Sequence, residues 1–175
     1  MNESIKNLLE RRSIRDYKKE LVPKETLDTI LEAGEYSGRK ITKIAREVGK
    51  FTVQNMRRVV AKLSKMNAAV MGSTSDPFYG APTVIIVFSD SKMGTCVENG
   101  SLVMGNLMNA AHALGVDSCW IHRAREVFDS EEGKELKKQW GVPEEYIGVG
   151  HCVLGYRDCE YPTAKPRKDG FVIRV

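Results

Sequence analysis

The chain has little of what marks secreted, metal-built or membrane-spanning proteins. Its four cysteines, at 96, 119, 152 and 159, form no CxxC pair, so neither a zinc ribbon nor a disulfide framework is suggested, and reduced, structural thiols are expected. Only three histidines are present. Cys119 with His122 and His151 with Cys152 could be drawn together as a zinc site. In strand geometry, however, the two members of each pair face opposite ways, and no metal is expected. No run approaches the roughly 20 apolar residues of a membrane span, and the start, MNESIKNLLE, has neither a basic leader nor an apolar signal core. The expectation is a cytoplasmic protein with no membrane partner. Internal repeats, low-complexity tracts, an evident Ser-His-Asp set and an evident carboxylate pair are also missing.

What is present is an ordinary apolar fraction, 42% of 175 residues, enough for one core and one domain spanning 1–175. The net charge of +4 conceals an asymmetry. Between Arg39 and Lys65 there are nine basic residues and one acid, Glu47, leaving 18 basic and 22 acidic residues elsewhere. Such a block can draw in phosphate-bearing partners, and it reads equally as a solvated pair of surface helices. A nucleic-acid surface is disfavoured because Phe51 is the one aromatic interleaved with these charges.

Periodicity supplies the elements. Ile5, Leu8 and Leu9 fall at helical spacing, and after Val22-Pro23 so do Leu27, Ile30 and Leu31. Pro23 suits the start of that second helix, where its missing N–H has no partner to lose. Ile41, Ile44, Ala45 and Val48 predict a helix, KFTVQN a strand, and MRRVVAKLSKMN a further helix. TVIIVF at 83–88 is a β-branched run fitted to a strand buried on both faces. GSLVMGNLMNAAHALG at 100–115 predicts a buried helix, its small residues permitting close packing and Gly115 ending it in the left-handed conformation. SCWI and YIGVGHCVLGY read as strands, SEEGKELKKQWG between them as a surface helix, and FVIRV as a last short strand. Mixed elements with long connections imply a layered α+β or α/β domain. His112 reads as a satisfied core or interface residue, and the glycines of GVGHCVLG lie inside a strand, which argues against a dinucleotide turn.

Two basic groups stand out as ligand candidates. Arg11, Arg12 and Arg15, with the hydroxyl of Ser13, lie within five residues at a helix exit, where guanidinium forks can grip a phosphate. Alone they could equally complement the carbonyl end of the helix dipole. Near the other terminus AKPRK offers Lys165, Arg167 and Lys168. If the two groups meet in space, they imply an anionic ligand.

The order of these stretches resembles the nitroreductase-like family of FMN-dependent oxidoreductases. ERRSIRDYKKELVPKETLDTILEAGEYSG is similar to the family's opening motif and second helix, and YGAPTVIIVFSD to its buried strand. NGSLVMGNLMNAAHALGVDSCWIHRA resembles its central helix and following strand, and GVGHCVLGYRDCEYPTAKPRK its closing strand and basic loop. The resemblance implies an α+β sandwich forming an intertwined homodimer, with FMN at the subunit interface. It also implies electron transfer from NAD(P)H to a small nitroaromatic- or quinone-like acceptor, with the chemistry carried by FMN and no catalytic side chain. Carried over by position, Arg11, Arg12, Ser13 and Arg15, joined by Lys165 and Arg167, would hold the phosphate, ribityl chain and pyrimidine edge. Trp120, Ile121, His122 and Arg123 would pass along the isoalloxazine, with a backbone N–H at His122 or Arg123 near flavin N5. Cations near N1 and C2=O stabilise the negative charge of reduced flavin, and a donor at N5 orients the hydride-accepting atom. Ser37 and Arg39 are carried over from the loop after the second helix, and Asn67 as a further polar contact.

The continuation KITKIAREVGKFTVQN lacks the Asn-x-Gln element usual in the family after that turn. The same features therefore also suit a catalytically weakened relative that binds flavin or a nucleotide in a regulatory role.

Overall fold

A computed structural model describes residues 1–37, 42–45, 53–170 and 172–173, and for 42–45 and 53–56 the backbone alone. Six helices and four strands alternate along these residues: α1 (Glu3–Glu10), α2 (Lys24–Glu35), β1 (Thr42–Ala45), α3 (Val53–Val70), β2 (Thr83–Asp90), α4 (Cys96–Ala113), β3 (Asp117–Ile121), α5 (Ala124–Asp129), α6 (Glu131–Gln139) and β4 (Tyr146–Gly155). The strands form one sheet in the order β1-β2-β4-β3, each neighbouring pair antiparallel.

The β-branched run of β2 is buried on both faces because each face carries its own helical layer. Ile86 and Phe88 join Leu63 of α3, Val127 and Phe128 of α5 and Leu136 of α6 on one side. Ile85 and Val87 join Ile30 and Leu31 of α2 and Val103, Met104, Leu107 and Ala111 of α4 on the other. In β4 the register slips between Val87 and Phe88 of its neighbour, whose partners are Gly150 and Gly148. Val149 is thus the extra residue of a bulge, which lets it share a face with Cys152 and Leu154 instead of with His151 and Val153.

That bulge sets how closely α4 can lie on the sheet. A β-carbon at Gly100 would fall 2.5 Å from Val149 Cγ2, whereas at Gly105 it would meet nothing within 4 Å. The small residues of α4 therefore divide between contact with the protein's own sheet and an open side. Helix α4 ends at Ala113 with Leu114 as its cap, and Gly115 follows with φ +72°, as its position in the sequence predicts.

Two expectations are corrected. The helix predicted over Ile41–Val48 is a strand where it is described: Thr42–Ala45 pairs with Ala45↔Ile86 through Thr42↔Ser89. The strand predicted for KFTVQN is helical from Val53 on, as the first turn of the 18-residue α3. In both places pairing or packing on the sheet outweighs local preference. The predicted final strand lies largely outside the described residues; Val172 and Ile173, which are described, are exposed and unpaired.

Candidate functional site

The arginine segment is held to the sheet as an extension beyond β3. Ile14 N–H donates to the Ser118 carbonyl at 3.1 Å, Ser13 bridges Ser118 in parallel, and Tyr17 bridges Arg157. Ile14 and Tyr17 are buried and anchor the segment in the core. Of the cations, Arg15 alone lies between these anchors. Arg15 is exposed, while Arg11, Arg12 and Ser13 are half-buried.

Their donors are incompletely used. Arg12 Nη1 donates to the carbonyls of Leu9 (2.7 Å) and Arg11 (2.9 Å), closing the carbonyl end of α1. Arg12 Nε and Arg11 Nη1 are buried with no partner among the described residues. Buried guanidinium donors left unpaired cost free energy unless something accepts from them. Arg11 and Arg15 also lie near enough to the Cys119 thiol to draw its pKa down, against burial, which is the larger influence and raises it. Cys152, fully enclosed, is pushed up to about 12. Both thiols are held protonated at neutral pH and are poor nucleophiles.

The second group of expected contacts follows β3. Trp120 is half-buried, and its indole N–H, unpaired, lies against Gly150, where a β-carbon would fall 2.4 Å from Nε1. Ile121 is buried in the core shared with α3 and α5. His122 is exposed and Arg123, like Trp120, half-buried, so of the four Ile121 alone is enclosed. Arg123 has φ +70°, ψ 18°, at the start of α5. Asn67, fully buried on α3, donates from Nδ2 to the His122 carbonyl at 2.8 Å. The structure thus joins Asn67 to the 120–123 stretch, which nothing in their spacing foretold. Beneath them His151 is buried against Phe78 and Phe128, at ring separations of 5.2 and 5.9 Å. Desolvation lowers its pKa to about 4, and the nearby backbone of Ile121 and His122 offsets this only in part.

The basic residues near the C-terminus are placed differently from the arginines. Lys165 and Arg167 are exposed, with no hydrogen bond or ion pair among the described residues. The C-terminal segment reaches the arginines at Tyr161, whose hydroxyl accepts the Arg12 N–H at 3.1 Å and donates to the Glu10 carbonyl at 2.8 Å. Tyr161 also stacks on His112, 6.2 Å away at 13°, and lies under the Arg157 guanidinium at 5.0 Å. Arg157 in turn pairs with the buried carboxylate of Asp117, its Nη1 3.3 Å from Oδ2. Sequence reasoning missed Tyr161, Arg157 and Asp117 because they meet across some 40 to 150 residues and carry no local pattern. Ser37 donates to the Gly34 carbonyl at the end of α2, and Arg39 lies outside the described residues.

The fold is shared with proteins of known structure. A nitroreductase of Bacteroides fragilis, solved with bound FMN, matches over 100% of both chains with a TM-score of 0.84 and 25% identity. A nitroreductase of Desulfitobacterium hafniense, also solved with bound FMN, matches over 100% of both with a TM-score of 0.78 and 26% identity. A protein of Methanothermobacter thermautotrophicus named "Putative NADH dehydrogenase/NAD(P)H nitroreductase" is 29% identical over 156 residues, 83% of this chain and 73% of its own. No helix among the described residues is long and apolar enough to cross a membrane. With a sheet between two helical layers, and with residues 8–156 matching the model of the Nitroreductase family, the chain belongs to that family and has its fold.

Proposed function

We propose that this chain, as a single domain over 1–175, is an FMN-dependent oxidoreductase that accepts electrons from NADH or NADPH and passes them to a small nitroaromatic- or quinone-like acceptor. The observation that carries the reading is the unpaired, buried guanidinium donors of Arg11 and Arg12 on a segment fixed to the β3 edge. They suit a dianionic phosphate, and family membership makes FMN the group that brings one. When bound, FMN supplies the two-electron transfer chemistry.

The roles of the protein's own groups follow from their placement. Arg11 and Arg15, with Ser13, hold the phosphate and ribityl chain, and Lys165 and Arg167 join them. Arg12, whose Nη1 is committed to closing α1, contributes through its free Nε. The backbone from Trp120 to Arg123 lines the ring, with Asn67 behind it. Ser37 and Arg39 complete the pocket from the loop after α2. A positive setting for the reduced ring lowers the cost of accumulating negative charge there.

The working unit is a homodimer with the cofactor where the protomers meet. Helix α1 buries none of its own residues, and Ile5, Leu8 and Leu9 are 49, 55 and 57% exposed. On α4, beside it, Val97 and Leu102 are 49 and 60% exposed. A second copy covering both helices accounts for this apolar surface and for the open side of Gly105.

Purified protein, reconstituted with FMN and mixed anaerobically with NADH or NADPH, tests the proposal. Retained yellow colour that bleaches supports it. Protein that stays colourless with excess FMN contradicts it. Bound flavin that neither nucleotide reduces favours the weakened, regulatory relative.

A further inference from the structure

The junction between β3 and α5 is held in one orientation by a residue on a different layer. Asn67 is 0% exposed and donates from Nδ2 to the His122 carbonyl, while its own Oδ1 has no partner. The peptide between His122 and Arg123 is trans, so that carbonyl and the Arg123 N–H point in opposite directions. With the carbonyl drawn toward α3, the N–H of Arg123 is turned away from it. Among the described residues nothing accepts from that N–H.

Two features show that this orientation is imposed rather than relaxed. Arg123 occupies the left-handed region with φ +70°, which a residue bearing a β-carbon avoids. Its side chain makes no capping hydrogen bond to α5, so helix initiation does not explain the conformation. The orphaned Oδ1 of Asn67 points the same way. A buried acceptor without a donor is unfavourable, and an apolar side chain of the same size would avoid it. What only the amide provides here is the Nδ2 donor to His122.

We infer that Asn67 is a positioning residue: it clamps the His122 carbonyl against α3 and so presents the Arg123 N–H to the ring of the bound flavin. This deepens the flavin reading above and rests on it. Asn67 acts through the peptide it orients, and its removal should alter the electronics of the site more than the strength with which FMN is held. The partner groups are specific. One donor, on one side-chain amide, sets the direction of the peptide that carries the Arg123 N–H.

The test uses the FMN-loaded protein and the wild-type chain first. Amide hydrogen exchange is compared at His122 and Arg123 before and after FMN loading. Slowing of at least about tenfold at Arg123 is expected. Slowing at His122 with Arg123 unchanged overturns the inference. The second arm is Asn67→Leu, with Asn67→Gln as the conservative variant. In Asn67→Leu the ratio of affinities for reduced and oxidised FMN is expected to change about tenfold, read as a shift in midpoint potential, with Asn67→Gln recovering part of it. A potential and an Arg123 exchange rate identical to wild type in Asn67→Leu would sink the inference. If Asn67→Leu does not fold, the wild-type comparison still decides. If the chain takes up no FMN at all, the flavin reading itself fails. The clamp is then read without cofactor, from the residual dipolar coupling of the Arg123 N–H, which must fit an outward vector.

Discussion

Lowering the pH should destabilise this protein through one buried imidazole. His151 is 0% exposed, packed between Phe78 and Phe128, and desolvation depresses its pKa from the ordinary 6.5 to about 4. The folded protein therefore holds it neutral, while the unfolded chain takes up a proton near pH 6.5. Stability from this residue is fully present above 6.5 and is lost as pH falls toward 4, because there the unfolded state binds more protons. Two and a half pKa units correspond to about 3 kcal/mol in all, of which about 2 kcal/mol is gone by pH 5. Urea unfolding of wild type and of His151→Leu, at pH 7.5 and pH 5 and with equal FMN, isolates the effect. The gap between the two proteins should shift by about 2 kcal/mol in favour of the variant at the lower pH. An unchanged gap would show that His151 finds a hydrogen-bond partner strong enough to keep its proton, and the desolvation argument would be wrong.

Other consequences follow from particular contacts. Gly100→Ala forces a β-carbon to within 2.5 Å of the stiff Val149 side chain and should cost about 1–3 kcal/mol, more than the roughly 1 kcal/mol that alanine adds to a helix. Gly105→Ala meets nothing in one protomer; in a homodimer closed over α4 it should lower the unfolding temperature in a concentration-dependent way, whereas a monomer would gain stability. Arg11→Ala should weaken FMN binding roughly ten- to hundredfold, the worth of a charge-assisted hydrogen bond, with Arg11→Lys recovering part of it; isothermal titration reads both. A disulfide reagent should label the exposed Cys159 quickly and the buried Cys119 and Cys152 only after unfolding, as burial raises both their pKa values.

How much of this was legible in the chain depended on whether the cause lay within one element. β2 and α4 could be read directly, since a β-branched run and a helix ended by glycine each carry their determinant locally. The strand Thr42–Ala45 and the start of α3 at Val53 could not, because the strand exists by pairing with Ile86 through Ser89 and the helix by packing on the same sheet. The short α5 was passed over, although Ala124, Val127 and Phe128 at i, i+3 and i+4 would have revealed it. At the candidate site the arginines and the 120–123 stretch were visible as residue types in order. Their support was not. Asn67 reaches His122 across 55 residues and Tyr161 reaches Arg12 across 149, and no periodicity encodes such a meeting.

The most direct test of the central claim is the visible spectrum of the purified, FMN-reconstituted protein before and after anaerobic addition of NADH or NADPH. A flavin band that survives desalting and bleaches with the nucleotide is the predicted result. A protein that emerges colourless after incubation with excess FMN would contradict it.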